Sequence, residues 1–306
     1  MKIYINDINE NWIVDRFKNE WEEYHRKSVA RDVHESDIVW IISPWTFKNL
    51  KKSKLESKIV LCTIHHLDME SFSRSDYKNF LKIDKYVDYY HVLSSKTLVK
   101  LQRLTNKKIY VQPFWVNNNT WFRKENVHKI REKLGFEVND YLIGSFQRDT
   151  EGKDLISPKL IKGPDIFAQI LNKYFDKKNI KVVLTGKRRQ YIINKLEEMN
   201  VEYRYFEMAD NEELNDLYNI LDLYIVSSRL EGGPQQIMEC ATIKTPIIST
   251  DVGIANKILS KESIFEYENF NDAKPNVDIA YNNVQKYQIP NGFNFFEELF
   301  TEITKS

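Results

Sequence analysis

The chain has 306 residues, of which 42% are hydrophobic and 29% are charged, and its formal net charge is +1. This length and composition indicate a globular protein with enough chain for two domains, and no apolar run approaches the ~20 residues of a membrane span. Two cysteines, Cys62 and Cys240, are too few for a disulfide framework or a cysteine metal site. Because the N-terminus has no signal-peptide pattern, we expect a cytoplasmic protein.

The first half of the chain alternates between strand-like and helix-like segments. Short apolar runs, typical of strands buried on both faces of a parallel sheet, are separated by segments with helical spacing. The predicted strands are 2–5, 37–42, 58–64, 87–93 and 109–111, and the predicted helices are 12–26 and 96–104. The polar, turn-rich segment 117–125 is the candidate linker.

The second half repeats the alternation. The predicted strands are 141–146, 180–184, 203–206, 223–226 and 245–249, and the predicted helices include 163–174 and 212–221. We therefore predict an α/β fold with two Rossmann-like parallel sheets, right-handed crossovers and ligands beyond the carboxyl ends of the strands. The predicted domains are 1–122 and 123–285, followed by a C-terminal helix within 286–306 that packs on the first domain.

The glycines exclude two common phosphate-binding motifs. All nine lie between Gly135 and Gly292, and no two are separated by a single residue, so the G-x-G-x-x-G fingerprint and the P-loop are absent. The chain also has no Asp-x-Asp pair to hold a divalent cation on a diphosphate. We therefore expect protein cations to bind any diphosphate, with no metal and no cofactor.

The stretch 228–253 contains the strongest functional signal. Its glutamates, Glu231 and Glu239, flank a Gly-Gly-Pro turn and the start of an apolar helix. Pro234 at a first helical position is pre-organised, and the glycines allow the backbone to approach a ligand. The free N–H groups and dipole of the helix start favour a diphosphate, while a carboxylate on the second turn can bind two neighbouring hydroxyls. Together these features predict a nucleotide-sugar site.

The residues of this stretch follow a recognisable order: Ser228, Glu231-Gly232-Gly233-Pro234, Glu239-Cys240-Ala241, Thr245-Pro246-Ile247-Ile248 and Asp251-Val252-Gly253. The series resembles the Glu-x7-Glu signature of retaining glycosyltransferases of the GT-B fold, above all family 4. A weaker resemblance extends from about residue 36 to about residue 260. It implies two domains facing across a cleft, and a metal-independent hexosyltransferase that uses a UDP- or GDP-linked sugar and a hydroxyl acceptor.

The resemblance assigns the diphosphate to two cations that follow the first strand of the second domain. Lys162, followed by Gly163, matches the Lys-Gly of the family well. Arg148 is a looser match for the family arginine, and the loop after it is longer than usual. Lys153 or Lys159 is therefore an alternative partner for Lys162.

The same resemblance implies further donor contacts within the stretch 228–253. Glu239 would hold the ribose hydroxyls, and Glu231 would hold a hydroxyl of the donor sugar. The backbone N–H groups of Gly232 and Gly233 would support the sugar or the phosphate, and Ser228 would lie near the phosphates.

The resemblance also assigns roles to two positions near which this chain departs from the family pattern. Met208 lies in the turn that would meet the base, although Glu207 stands where the family has a glycine. His65 matches a histidine that the family places near the donor sugar, with His66 as the alternative. The glycine-rich loop after the first strand is replaced by the glycine-free segment 6–12, and the first domain is short.

Two other classes of function stay open. One is a sugar phosphorylase or nucleotide-sugar epimerase on the same architecture, and the other is a non-catalytic GT-B-like binding subunit. The expected partners are a nucleotide sugar and a glycan, glycolipid or other hydroxyl acceptor. Residues 1–125 carry 22 basic and 16 acidic residues, which suits either an anionic acceptor or a peripheral contact with membrane headgroups. No basic stripe with interleaved aromatic residues points to nucleic acid.

Overall fold

A computed structural model describes residues 1–6 and 13–305, and the chain forms two compact units. The first unit consists of Met1–Trp115 and Ile289–Ser306, and the second of Val116–Gln288. The glycine-free segment 6–12 lies outside the described residues, apart from Asn6. No helix in the described ranges is both long and apolar enough to cross a membrane.

The first unit is built on a five-stranded parallel sheet in the order β1-β2-β3-β4-β5. Its elements are β1 (Ile3–Ile5), α1 (Ile13–Tyr24), β2 (Ile38–Ile41), β3 (Ile59–Ile64), α2 (Arg74–Asp84), β4 (Tyr89–Val92), α3 (Ser95–Leu101) and β5 (Lys108–Val111). All of β2 and nearly all of β3 are buried, which explains why their sequences are continuously apolar. A capping box between Ser73 and Asp76 starts α2.

The second unit contains a five-stranded parallel sheet in the order β10-β9-β6-β7-β8. Its elements are α4 (Val127–Lys133), β6 (Tyr141–Ser145), α5 (Pro164–Tyr174), β7 (Ile180–Thr185), α6 (Gln190–Glu198), β8 (Glu202–Phe206), α7 (Asn211–Ile220), β9 (Leu223–Val226), α8 (Gln235–Ile243), β10 (Ile247–Ser249), α9 (Ala255–Ile258) and α10 (Val277–Val284). The prediction of two Rossmann-like parallel sheets is confirmed.

The two faces of the first sheet are covered by different helices. On one face, Trp40 packs with α1 and with the C-terminal helix α11 (Asn294–Ile303), which belongs to the first unit. On the other face, Val39 packs with Phe80 of α2 and Leu101 of α3. The side chains of β2 therefore alternate between two separate cores, as the pleat of a strand requires.

Helix α1 crosses the first sheet in the opposite direction from α2 and α3. It connects β1 to the short extended segment 28–30, where Val29 forms a parallel bridge with Ile3 on the side of β1 away from β2. Because α1 also lies on the opposite face from α2 and α3, both direction and face are reversed, and its crossover has the same hand as theirs, in agreement with the prediction of a uniform hand. Aromatic packing holds α1 on this face, since Phe17 stacks on Phe114 at 4.1 Å and Trp21 meets Phe300 at 5.3 Å.

The segment 117–125, predicted to be a linker, is a packed part of the second unit. Trp121 is fully buried, and its ring lies 5.9 Å from that of Tyr218 in an edge-to-face arrangement. The backbone N–H of Phe122 donates to Asn215 Oδ1 at 3.3 Å. The first boundary between the units accordingly lies between Trp115 and Val116, seven residues before the predicted one.

Candidate active site

The second sheet changes direction between β6 and β9. From β6 the chain proceeds to β7 and β8 on one side, and then returns to place β9 and β10 on the other side. The loops that follow β6 and β9 therefore meet at the point where open parallel sheets bind their ligands. Gln147 follows β6 and Ser228 follows β9, and the hydroxyl of Ser228 donates to Gln147 Oε1 at 3.0 Å.

Three of the predicted site residues come together at this point. Lys162 Nζ lies 2.5 Å from Glu231 Oε1, and the two side chains are only 21% and 11% exposed. Ser228 Oγ lies 3.1 Å from the same carboxylate oxygen. Gln147 completes the group, because its amide nitrogen donates to the backbone carbonyl of Lys162 at 2.7 Å. The result is a half-buried cation and anion beside a hydroxyl group.

The loop ending at Gly163 and the loop after β9 are joined through their backbones. The N–H groups of Arg229 and Leu230 both donate to the carbonyl of Ile161, at 2.9 and 3.1 Å. The hydroxyl of Ser227 donates to the carbonyl of Gly163 at 2.8 Å. Gly163 has φ of +61°, and a Cβ atom at this position would lie 1.8 Å from the carbonyl oxygen of Ser227. Only glycine allows this approach, which fixes Lys162 beside the loop that contains Glu231.

Gly253 packs against the backbone of the turn before α8. A Cβ atom on Gly253 would lie 2.5 Å from the carbonyl oxygen of Gly232, so the two loops are in close backbone contact. Gly233 follows in the same turn, and α8 begins at Gln235. Pro234 is the residue that precedes the helix, not its first residue as predicted, because its ψ of 112° is extended.

Glu239 lies on the second turn of α8, as predicted, and is 4% exposed. The phenol of Tyr218, on α7, donates to Glu239 Oε2 at 2.8 Å. Burial raises the pKa of Tyr218 well above its ordinary value, and the carboxylate of Glu239 raises it further. Tyr218 is therefore a permanent hydrogen-bond donor that fixes the orientation of this carboxylate.

Arg148 and Met208, two other predicted site residues of the second unit, lie at exposed positions. Arg148 is exposed, and its Nε donates to the carbonyl of Thr150 in its own loop at 2.9 Å. Partial desolvation of its guanidinium, together with the positive charge of Arg188, lowers the pKa of Arg148. Met208 lies in the turn after β8 and is 63% exposed, so its side chain is accessible to a ligand.

His65 lies at the carboxyl end of β3 in the first unit. Its Nε2–H donates to the carbonyl of Ile42 at 2.9 Å, and Ser43 Oγ lies 3.1 Å from the same nitrogen. Burial lowers the pKa of His65 to about 4, so the ring is neutral at physiological pH. Trp45, which is 39% exposed, has its ring 6.0 Å from that of His65. His66 is exposed.

Arg189, the last residue of the basic run 187–189 that follows β7, is a buried structural cation. It is 1% exposed, and its Nε donates to Asp149 Oδ2 at 2.7 Å. Its Nη1 donates to the carbonyls of Ser145 and Thr185, at 2.5 and 2.8 Å. The guanidinium therefore ties together the carboxyl ends of β6 and β7, which shape the site.

Sequence reasoning also missed the roles of Gln147 and Tyr218. Their partners are distant in sequence, since Gln147 and Ser228 are 81 positions apart and Tyr218 and Glu239 are 21 positions apart. Neither residue belongs to a local motif. The one available signal was the position of Gln147 immediately after a buried strand, at a sheet edge where ligands bind.

The architecture and the loops at the switch point define a protein with two Rossmann-like α/β units. Residues 128–283, just over half of the chain, match the family described as glycosyl transferases group 1. The chain therefore belongs to this family of glycosyltransferases. Sequence comparison with curated proteins finds no significant match.

Solved structures show the same fold at low sequence identity. HepE from Anabaena, in complex with UDP and glucose, is 12% identical, with a TM-score of 0.74 over 99% of this chain and 100% of that one. Sucrose-phosphate synthase from Thermosynechococcus elongatus is 14% identical, with a TM-score of 0.72 over 98% and 81%. The catalytic domain of starch synthase IV from Arabidopsis thaliana, bound to ADP and acarbose, is 13% identical, with a TM-score of 0.63 over 98% and 79%. These likenesses confirm the predicted GT-B fold.

Proposed function

We propose that this glycosyltransferase is a retaining, metal-independent enzyme of the family 4 type. It transfers a hexosyl group from a UDP- or GDP-linked sugar to a hydroxyl of a glycan or glycolipid. The observation that carries the proposal is the group formed by Lys162, Glu231 and Ser228 at the switch point of the second sheet. The complexes of structural neighbours with UDP and glucose, and with ADP, are further support for a nucleotide-sugar donor.

The second unit would bind the donor through residues with distinct roles. The buried carboxylate of Glu239, held by Tyr218, is suited to accept hydrogen bonds from the two ribose hydroxyls. The N–H groups of Gly232 and Gly233 precede α8, where the helix dipole favours an anion. The exposed side chain of Met208 offers an apolar contact for the base.

The transfer step would break the bond between the anomeric carbon and the diphosphate oxygen, and form a bond from that carbon to the acceptor oxygen on the same face. The acceptor proton would pass to a phosphate oxygen of the leaving nucleotide. Preorganised cations stabilise the negative charge that develops on this leaving group. Lys162 and Arg148 are the residues we assign to that task, and Glu231 would bind a hydroxyl of the donor sugar.

The acceptor is assigned to the first unit. His65 is neutral at physiological pH, so it can form a hydrogen bond with a sugar hydroxyl without adding a positive charge. Lys51, Lys52 and Lys54 are exposed close together in the chain, which fits a contact with anionic lipid headgroups if the acceptor is a glycolipid.

The test is turnover of nucleotide sugars by the purified protein in the presence of EDTA. A panel of UDP-, GDP-, ADP- and TDP-hexoses is incubated with and without glycan and glycolipid acceptors, and release of the nucleoside diphosphate is measured. We expect one donor class to be turned over, and faster with an acceptor. Lys162→Met should lower the rate roughly 100-fold or more, as removal of one preorganised charge contact does in other enzymes.

The matched control is Lys133→Met, because Lys133 is an exposed lysine on α4. It should retain the wild-type rate. Formation of a sugar phosphate only when free phosphate is supplied would identify a phosphorylase instead, and conversion of the donor without any acceptor into its epimer would identify an epimerase. Absence of both nucleotide binding and turnover would favour a non-catalytic binding subunit.

A further inference from the structure

Lys159 is a half-buried cation in a cluster of positive charge beside the proposed donor site. It lies directly before the short 3-10 helix Leu160–Lys162, and the N–H of Lys162 donates to the carbonyl of Lys159 at 2.8 Å. The charges of Lys162 and Arg148, and those of the carboxylates of Glu231 and Glu151, all act on the ammonium group of Lys159. Burial, together with the two positive charges, lowers the pKa of Lys159 against a smaller opposing effect of the two carboxylates.

The position of Lys159 is fixed by backbone contacts within the loop that follows β6. Its N–H donates to the carbonyl of Asp149 at 2.8 Å, and Thr150 forms an antiparallel bridge with Pro158. Asp149 is itself held by the buried guanidinium of Arg189. The long loop after β6 is therefore folded back on itself, and its return places Lys159 next to Lys162 at the carboxyl edge of the sheet.

The three cations differ in how they are neutralised. Lys162 is ion-paired with Glu231. Throughout the described ranges 1–6 and 13–305, neither Lys159 nor Arg148 forms an ion pair with a carboxylate. A half-buried ammonium beside two other cations is costly unless an anion joins it, because both desolvation and like charges disfavour its charged form. Against the carboxylates of Glu231 and Glu151, the cations Lys159, Lys162 and Arg148 leave an excess of positive charge where the phosphates of a donor would bind.

We propose that Lys159 binds a phosphate oxygen of the nucleoside diphosphate, as a third phosphate-binding cation next to Lys162 and Arg148. The inference rests on the proposed function of this site. In this arrangement Lys162 can keep its contact with Glu231, so that it also orients the carboxylate for the donor sugar, while Lys159 supplies a charge that is not committed to a protein group.

The experiment is calorimetric titration of UDP, GDP and inorganic pyrophosphate into the full chain without added metal. Lys159→Gln and Lys159→Met remove the charge, and the methionine keeps the half-buried apolar stem, so at least one uncharged variant should fold. Lys159→Arg keeps the charge, and Lys133→Gln is the exposed control on α4. Thermal unfolding of each variant confirms that it is folded.

We expect the uncharged variants to bind the preferred nucleoside diphosphate roughly 10- to 100-fold more weakly, the usual loss for one charged hydrogen bond. Lys159→Arg should restore most of the affinity, which a merely structural role in the loop would not predict, and Lys133→Gln should match the wild type. Wild-type affinity in Lys159→Gln or Lys159→Met would overturn the assignment of Lys159 while leaving the proposed function intact. No binding of either nucleotide or of pyrophosphate by the wild type would overturn both.

Discussion

Substitution of Gly163 by alanine adds one methyl group, and we expect no other single added methyl group to disrupt the site as much. The added Cβ would lie 1.8 Å from the carbonyl oxygen of Ser227, whereas a relaxed carbon–oxygen contact needs about 3.3 Å, so two backbones must separate by roughly 1.5 Å. The left-handed φ of +61° adds a conformational cost of about 1–2 kcal/mol for alanine. Overpacking typically costs about 1–3 kcal/mol, so the free energy of unfolding should fall by about 2–5 kcal/mol in total.

The same displacement should impair nucleotide binding. Gly163 and Ser227 share a hydrogen bond, and the ion pair of Lys162 with Glu231 spans the same two loops. We therefore expect Gly163→Ala to weaken binding of the nucleoside diphosphate by at least about tenfold, the effect of losing one charged contact. Urea denaturation followed by circular dichroism measures the stability, and calorimetric titration measures the affinity.

The matched control for this prediction is Gly152→Ala. Gly152 has a similar φ of +72°, but the nearest atom to its added Cβ is Asp154 Oδ1 at 3.4 Å, an ordinary contact. This variant should therefore show only the conformational cost of about 1–2 kcal/mol. If Gly163→Ala is as stable as Gly152→Ala and binds nucleotide like the wild type, the close approach of the two loops is not what shapes the site.

Three further predictions follow from buried polar groups. Because Tyr218→Phe removes the buried hydrogen-bond donor of Glu239, it should lower the free energy of unfolding by about 1–3 kcal/mol. In calorimetry, the same variant should bind the nucleotide roughly 3- to 10-fold more weakly. Unchanged affinity would argue against a positioning role for Tyr218. Because His65 is neutral in the folded state, it should contribute about 3 kcal/mol at most to the free energy of unfolding above pH 6.5, and this contribution should be lost as the pH falls to about 4. The urea midpoint of the wild type should therefore fall across this pH range, and that of His65→Gln should fall less. An equal fall in both proteins would contradict the burial argument. Arg189→Met should lower the free energy of unfolding by about 3–5 kcal/mol, because Asp149 is left buried without its partner. The double variant with Arg189→Met and Asp149→Asn should recover part of that loss. If the effects of the two substitutions are strictly additive, the ion pair does not couple these residues.

The strands were predictable because burial on both faces leaves a continuous apolar signal in the sequence. That signal located β2, β3 and most of the second sheet. The family resemblance added the adjacent residues Lys162 and Gly163 of the site. The path of the chain between β1 and β2 was not predictable. Residues 28–30 pair with the outer side of β1 before the chain reaches β2, and α1 packs against Phe300 from the far end of the chain.

The electrostatic details of the site were also beyond the sequence. The basic run 187–189 looks solvated, yet Arg189 is buried because Asp149 and two strand-end carbonyls surround it, and those partners are 4 to 44 residues away. The contact between Gln147 and Ser228 arises only because the sheet order brings the ends of β6 and β9 together. Local patterns do not encode such contacts, since they depend on the topology of the whole unit.

The most direct test of the account is calorimetric titration of UDP and GDP, without added metal, into the wild type and Glu239→Gln. The glutamine is nearly isosteric but lacks the negative charge for the ribose hydroxyls, and Glu132→Gln on the exposed surface of α4 is the control. We predict roughly micromolar binding of one nucleotide, about tenfold or more weaker in Glu239→Gln and unchanged in Glu132→Gln. Absence of binding by the wild type, or equal binding by Glu239→Gln, would contradict the assignment of this site to a nucleotide-sugar donor.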